Sequence, residues 1–146
     1  MPIEAKDLSQ EPPRSPRALL GGYVLVARML DKARAELCGT AGQYLFNCGL
    51  DRIFLTYKGI TAEEVRMLVT SGWTDEEVLK WIDSNGEPRT AEEIRAWSES
   101  LLEDKAFFIN HLESDDRALL KKQSSNSLHA PRRREERSVS GGSCPR

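Results

Sequence analysis

Three threonines, each followed three residues later by a glutamate, do most to restrict how this chain folds: Thr61-Ala-Glu-Glu64, Thr74-Asp-Glu-Glu77 and Thr90-Ala-Glu-Glu93. In such a capping box the threonine oxygen accepts a free N–H of the first helical turn, while the glutamate reaches back to the cap's own N–H. Each cap contributes about 1 kcal/mol. Ile60 with Val65, and Trp73 with Val78, add apolar staples across two of the starts. The pattern predicts helices over about 62–71, 75–84 and 91–103 or beyond, the first two closed by Gly72 and by Asn85-Gly86. Val65, Leu68 and Val69, then Val78, Leu79, Trp81 and Ile82, then Ile94, Trp97 and Leu101 give these helices one shared core. The starts lie 13 and 16 residues apart, too close and too uneven for a solenoid, so they reflect recurrent capping chemistry and not a repeat.

Upstream, Ser15-Pro16 reads as an N-cap followed by proline at the first helical position. That predicts a helix from residue 16 to about Leu37, stopping near Gly39. Gly21-Gly22 interrupts it at a cost of about 2 kcal/mol relative to alanine, so either the helix proper starts at Tyr23 or another backbone packs closely there. Residues 39–49 read as a loop, with a weakly signalled short strand pair around 43–46. Leu50, Ile53, Phe54 and Tyr57 recur at helical spacing before Gly59 at a C-cap position. Phe107, Phe108, Ile109 and Leu112 extend the last helix or form another, and Ser114 to Lys122 reads as a short helix with acids first and lysines last. The expected fold is all-α, a single compact domain of five to six helices over 15–123. A leader over 1–14 precedes it, and a disordered basic tail over 124–146 follows.

Charge and cysteine content narrow the function classes. The net charge is −2 overall, but from His129 onward five Arg face two Glu, so the tail carries +3 and the remainder −5. An acidic body is not the footprint of a nucleic-acid-binding domain, which concentrates Lys and Arg on a folded face; only weak contacts from Arg132-Arg-Arg134 fit that class. No run approaches the roughly 20 apolar residues that span a bilayer, and the polar first residues lack a signal-peptide pattern, so a cytoplasmic location is expected and no membrane partner. Cys38, Cys48 and Cys144 contain no CxxC pair, and His111 and His129 have no helix-spaced partner. Neither a metal site nor a cofactor is expected.

Candidate site residues come from a polar cluster on an apolar helix. Tyr23 to Leu30 reads Tyr-Val-Leu-Val-Ala-Arg-Met-Leu, apolar on every face except Arg28, with Asp31, Lys32 and Arg34 next. Ionisable groups inside such a helix must be paired or used. Arg28 and Asp31 share a face, as do Asp31 and Arg34. The plainer reading is a structural Arg28–Asp31 pair that docks the helix on the following loop. The functional reading gives Arg28 an anionic ligand to hold with its planar fork, and Asp31 the task of orienting it. The loop adds Tyr44, Asn47, Cys48 and Asp51, of which Asn47 or Asp51 is the natural cap of the next helix. Cys48 would be a nucleophile only with a base and positive charge beside it. A Cys38–Cys48 bridge is open to the geometry but disfavoured in a reducing compartment. Trp73, Trp81 and Trp97 follow core periodicity and read as packing.

The block Pro13-Arg-Ser-Pro-Arg17, Leu20-Gly-Gly-Tyr23, Arg28, Asp31-Lys-Ala-Arg34 and Gly39-Thr40 continues into Tyr44, Asn47 and Leu50-Asp51. With Thr74-Asp-Glu-Glu-Val-Leu-Lys-Trp81 and Glu93-Ile-Arg-Ala-Trp97, it resembles the bacterial family of the domain of unknown function 5069. The resemblance covers about residues 12 to 113 and implies a small, mostly helical cytosolic protein; it brings no assigned activity.

Three functions follow as expectations. The first is a module binding a small anionic ligand through Arg28, Asp31, Tyr44, Asn47 and Asp51. The second is a helical interaction or regulatory protein, with a protein partner, in which the Arg–Asp cluster is purely structural. The third, an enzyme using Cys48 or Asp51, ranks last because no set of nucleophile, base and orienting group can be assembled.

Overall fold

The computed structural model describes residues 5–104. Helix α1 (Val26–Cys38) is the element around which the others pack: ten of its thirteen residues are buried, including Arg28, Asp31 and Lys32. Helices α2 (Gly49–Lys58), α3 (Ala62–Thr70), α4 (Asp75–Asn85) and α5 (Ala91–Leu102) complete an all-α domain. Among the described residues no strand forms, so the segment 43–46 is turn and not a strand pair.

The helix expected from residue 16 begins ten residues later. Gly21 and Gly22 both take left-handed backbone (φ 62° and 87°), and Leu20 and Tyr23 exchange N–H···O bonds of 2.9 and 3.0 Å across them in a tight turn. The turn also brings backbone close to α4, since a Cβ on Gly21 would lie 2.9 Å from a methyl of Leu79. Neither explanation offered for the glycine pair holds as read: the neighbours of Gly21 and Gly22 are side chains of Leu79 and Ile94 and not another backbone, and α1 starts not at Tyr23 but after Leu25, itself left-handed at φ 77°. Ser98 on α5 secures the turn: its hydroxyl donates to the Gly22 carbonyl at 2.7 Å and accepts from the Val24 N–H at 3.1 Å.

All three capping boxes form as the sequence predicts, with Thr61, Thr74 and Thr90 accepting from the N–H of Glu64, Glu77 and Glu93 and each glutamate answering the cap. Gly59 closes α2 in left-handed conformation at φ 66°. The main core joins Tyr23, Val26, Met29 and Leu30 to Phe54, Ile60, Val65, Leu68, Val78 and Ile82, with Trp73, Trp81 and Trp97 packed on its margin. Tyr23 meets Phe54 edge-on at 5.2 Å between centroids, and Trp97 stacks on Tyr57 at 4.6 Å. The tryptophans are packing residues, as their spacing indicates.

The segment read as a leader is in contact with the domain from Lys6 onward. Leu8 is fully buried and its N–H donates to the Thr40 carbonyl at 2.7 Å, while the Thr40 hydroxyl donates to the Lys6 carbonyl at 2.9 Å. The expectations for 107–122 and for the tail from 124 lie outside the described residues.

Candidate functional site

Two polar clusters lie along α1, and the candidate residues divide between them. The first is a chain of guanidinium and carboxylate groups. Asp31 does not take its partner from Arg28 or Arg34 on its own helix. It accepts from Arg14, through the main-chain N–H at 2.8 Å and the guanidinium at 3.0 Å. Arg14 continues to Asp75 at the start of α4 at 2.9 Å, and Asp75 also takes Arg34 at 2.8 Å. Arg34 donates further to the Trp73 carbonyl at 3.1 Å. The sequence spacing identified Asp31 and Arg34 as cluster members but missed the two residues that link them. Arg14 lies in the segment read as leader, and Asp75 reads as an ordinary first-turn acid.

Arg28 is buried, 2 % exposed, as its apolar neighbours require. Its guanidinium donates to the main-chain carbonyl of Arg14 at 3.3 Å and lies 5.4 Å from the centre of the Tyr44 ring, a cation–π contact. Arg28 and Tyr44 thus belong to this first cluster, held on the same Arg14 segment that Asp31 grips.

The electrostatics favour the charged forms. Burial disfavours the charge on Arg14, but hydrogen bonds to Asp75 and Asp31 outweigh it and raise its pKa above the ordinary arginine value. For Asp75 burial acts upward, and the bonds from Arg14 and Arg34 overcome it, holding the carboxyl below the usual carboxylate range.

The second cluster contains Asn47 and Asp51 together with Lys32 and Cys48. Lys32 on α1 reaches Asp51 at 3.1 Å, both side chains being almost fully enclosed. Asp51 also accepts the main-chain N–H of Asn47 at 2.8 Å, and Asn47 is left-handed at φ 68°. Neither residue is the helix cap. That position falls to Cys48, whose side chain makes no capping bond, and Asp51 stands in the first turn of α2. The Lys32 ammonium lies 3.3 Å from the sulfur of Cys48, a free, partly exposed thiol. No Cys38–Cys48 bridge forms.

Among the described residues no group of His, Cys, Asp and Glu is placed to hold a metal ion. No helix among them is long and apolar enough to cross a membrane. The comparison with curated proteins finds no match. The family model described as "Domain of unknown function (DUF5069)" matches residues 10–139, a span that takes in both clusters, and the chain belongs to that family.

Proposed function

We propose that this chain is a binding module for a small oxyanion of the carboxylate or phosphate class, received by the guanidinium groups of Arg14 and Arg34. The observation that carries the reading is the position of Asp75. Its carboxylate stands between two guanidinium groups at 2.9 and 2.8 Å, so two fixed cationic donors converge on one oxyanion position. Asp75 is partly open to solvent and comes from a helix start, so an external anion reaches the same donors by displacing it. Asp31 holds Arg14 in register, and Arg28 with Tyr44 supports the segment that carries it. Asn47 and Asp51 serve the second cluster and are not part of this cradle.

A structural reading competes, favoured by the same numbers: Asp31 and Asp75 are each already matched by guanidinium donors, as a network that only fastens the N-terminal segment and α4 to α1 would require. Removing the internal carboxylate separates the two. Inorganic phosphate or citrate is titrated into the full chain and into Asp75→Asn, following melting temperature. Anion binding predicts stabilisation of the parent and about tenfold tighter binding to the variant, because the internal competitor is gone. It also predicts weaker binding by Arg34→Gln, which removes one of the two charged donors. A purely structural network predicts a lower melting temperature for Asp75→Asn and no response to either anion.

A further inference from the structure

We propose that residues 6–14 form a strap whose docking completes the oxyanion cradle, so that a bound phosphate and the docked strap hold each other in place. This rests on the oxyanion reading above and adds to it a means of regulation. Of the two guanidinium donors, Arg34 comes from α1, whereas Arg14 comes from a segment that lies outside every helix.

The strap is fixed at two places. At its start Leu8 is fully buried, its N–H donates to the Thr40 carbonyl at 2.7 Å, and the Thr40 hydroxyl donates to the Lys6 carbonyl at 2.9 Å. The main chain passes directly over Gly42, where a Cβ would lie 2.8 Å from the Leu8 carbonyl oxygen. At its end Pro13 is buried and both main-chain groups of Arg14 are engaged. The Arg14 N–H donates to Asp31 at 2.8 Å, and its carbonyl accepts from Arg28 at 3.3 Å. Between the anchors Ser9, Gln10 and Glu11 are exposed, in a turn bonded within itself: the Asp7 carboxylate accepts the Ser9 N–H at 3.0 Å and the Ser9 hydroxyl at 2.6 Å.

The main-chain bonds that hold the strap run to α1 or to Thr40 just beyond it, and the Arg14–Asp75 pair carries it on to α4. The strap can therefore lift while the packing of the helices stays closed. A segment with few buried side chains and no helical ladder opens at a lower free energy than a core helix. When it lifts, Arg14 leaves with it and Arg34 faces Asp75 alone. An anion that needs both donors binds only the docked form, and linkage makes the effect reciprocal. Leu8 is then a positioning residue. It sits at the far anchor, away from the donors, and sets the fraction of chains in which the cradle is complete.

The test follows amide hydrogen exchange of the full chain at fixed pH and ionic strength, with inorganic phosphate as the probe. The Leu8 and Arg14 amides, one at each anchor, should exchange together and faster than the interior amides of α1. Phosphate at about ten times its Kd should slow both about tenfold. Leu8→Ala should speed their exchange and bind phosphate about tenfold more weakly in calorimetry, and Leu8→Met should restore both. Leu8 and Arg14 amides that exchange only as slowly as the interior of α1 overturn the strap, because the segment then opens only with the whole domain. So does a Leu8→Ala variant that binds phosphate as tightly as the parent. In either case phosphate binding by the parent leaves the oxyanion reading standing. A parent that binds no phosphate removes that reading, and the coupling falls with it.

Discussion

Arg14 and Asp31, seventeen residues apart, are joined twice over: the Asp31 carboxylate receives both the main-chain N–H of Arg14, at 2.8 Å, and its guanidinium, at 3.0 Å. The first bond survives any change of the Arg14 side chain; the second does not. Asp31→Ala should therefore cost more than Arg14→Ala, about 3 kcal/mol against about 1–2 kcal/mol, because it leaves the Arg14 N–H without its acceptor and the partly buried guanidinium with Asp75 alone. A double-mutant cycle on urea denaturation should give strong coupling for Arg14 with Asp31. The corresponding cycle for Arg34 with Asp31, neighbours on α1 that are linked only through Arg14 and Asp75, should give a smaller coupling.

Asp75 makes stability depend on acid. Its carboxyl titrates below the ordinary range in the folded protein because Arg14 and Arg34 bind the charged form. As pH falls, the unfolded chain takes up the proton first, so the contribution is complete above the unfolded value of about 3.9 and is lost as pH drops through the lower folded value. Thermal melts of the parent and Asp75→Asn should differ most at neutral pH and converge toward pH 3.

Tyr23 imposes the opposite dependence at alkaline pH. Burial, followed by the 2.8 Å bond its hydroxyl donates to Asp83, raises its pKa in the folded state. The unfolded chain then loses the phenolic proton first, so the tyrosine's contribution is intact below about pH 10 and declines as pH rises toward the higher folded value. Tyr23→Phe should lose about 1 kcal/mol at neutral pH and show a shallower loss of stability between pH 9 and pH 11 in denaturant titrations.

The capping boxes allow a graded comparison. Thr61→Ala, Thr74→Ala and Thr90→Ala each remove one acceptor for a first-turn N–H. Each should cost about 1 kcal/mol, or a melting decrease of about 4–8 °C, while the serine replacements should retain most of the stability.

Local chemistry was legible from the residues alone, and long-range pairing was not. Thr61, Thr74 and Thr90 announce their helices because cap and box partner are three residues apart and need nothing else. The start of α1 was misplaced because Ser15-Pro16 carries a good local signal that tertiary contacts override: the Gly21-Gly22 turn is fastened by Ser98, more than seventy residues away. The cluster shows the same division. Burial of Arg28 and Asp31 followed from their apolar neighbours, whereas spacing along one helix suggested partners within that helix. Asp31 is instead answered by Arg14 and Asp75 is shared between Arg14 and Arg34, pairings set by how the segments pack. The position of Lys32 against Cys48 has the same origin, since nothing in the chain around Cys48 announces a cation.

Lys58 and Glu87 exchange two bonds: the Glu87 N–H donates to the Lys58 carbonyl at 2.6 Å, and the buried Lys58 ammonium donates to the Glu87 carbonyl at 2.7 Å. Gly86 makes this approach feasible, because a Cβ there would lie 2.7 Å from the Lys58 carbonyl oxygen. The clasp closes residues 58 to 87 into a non-covalent ring that contains the whole of α3 and α4. Neither helix can then detach by fraying from an end, and the two should open together. In native-state hydrogen exchange the interior amides of α3 and α4 should share one opening free energy, and Gly86→Ala should lower it for both helices at once.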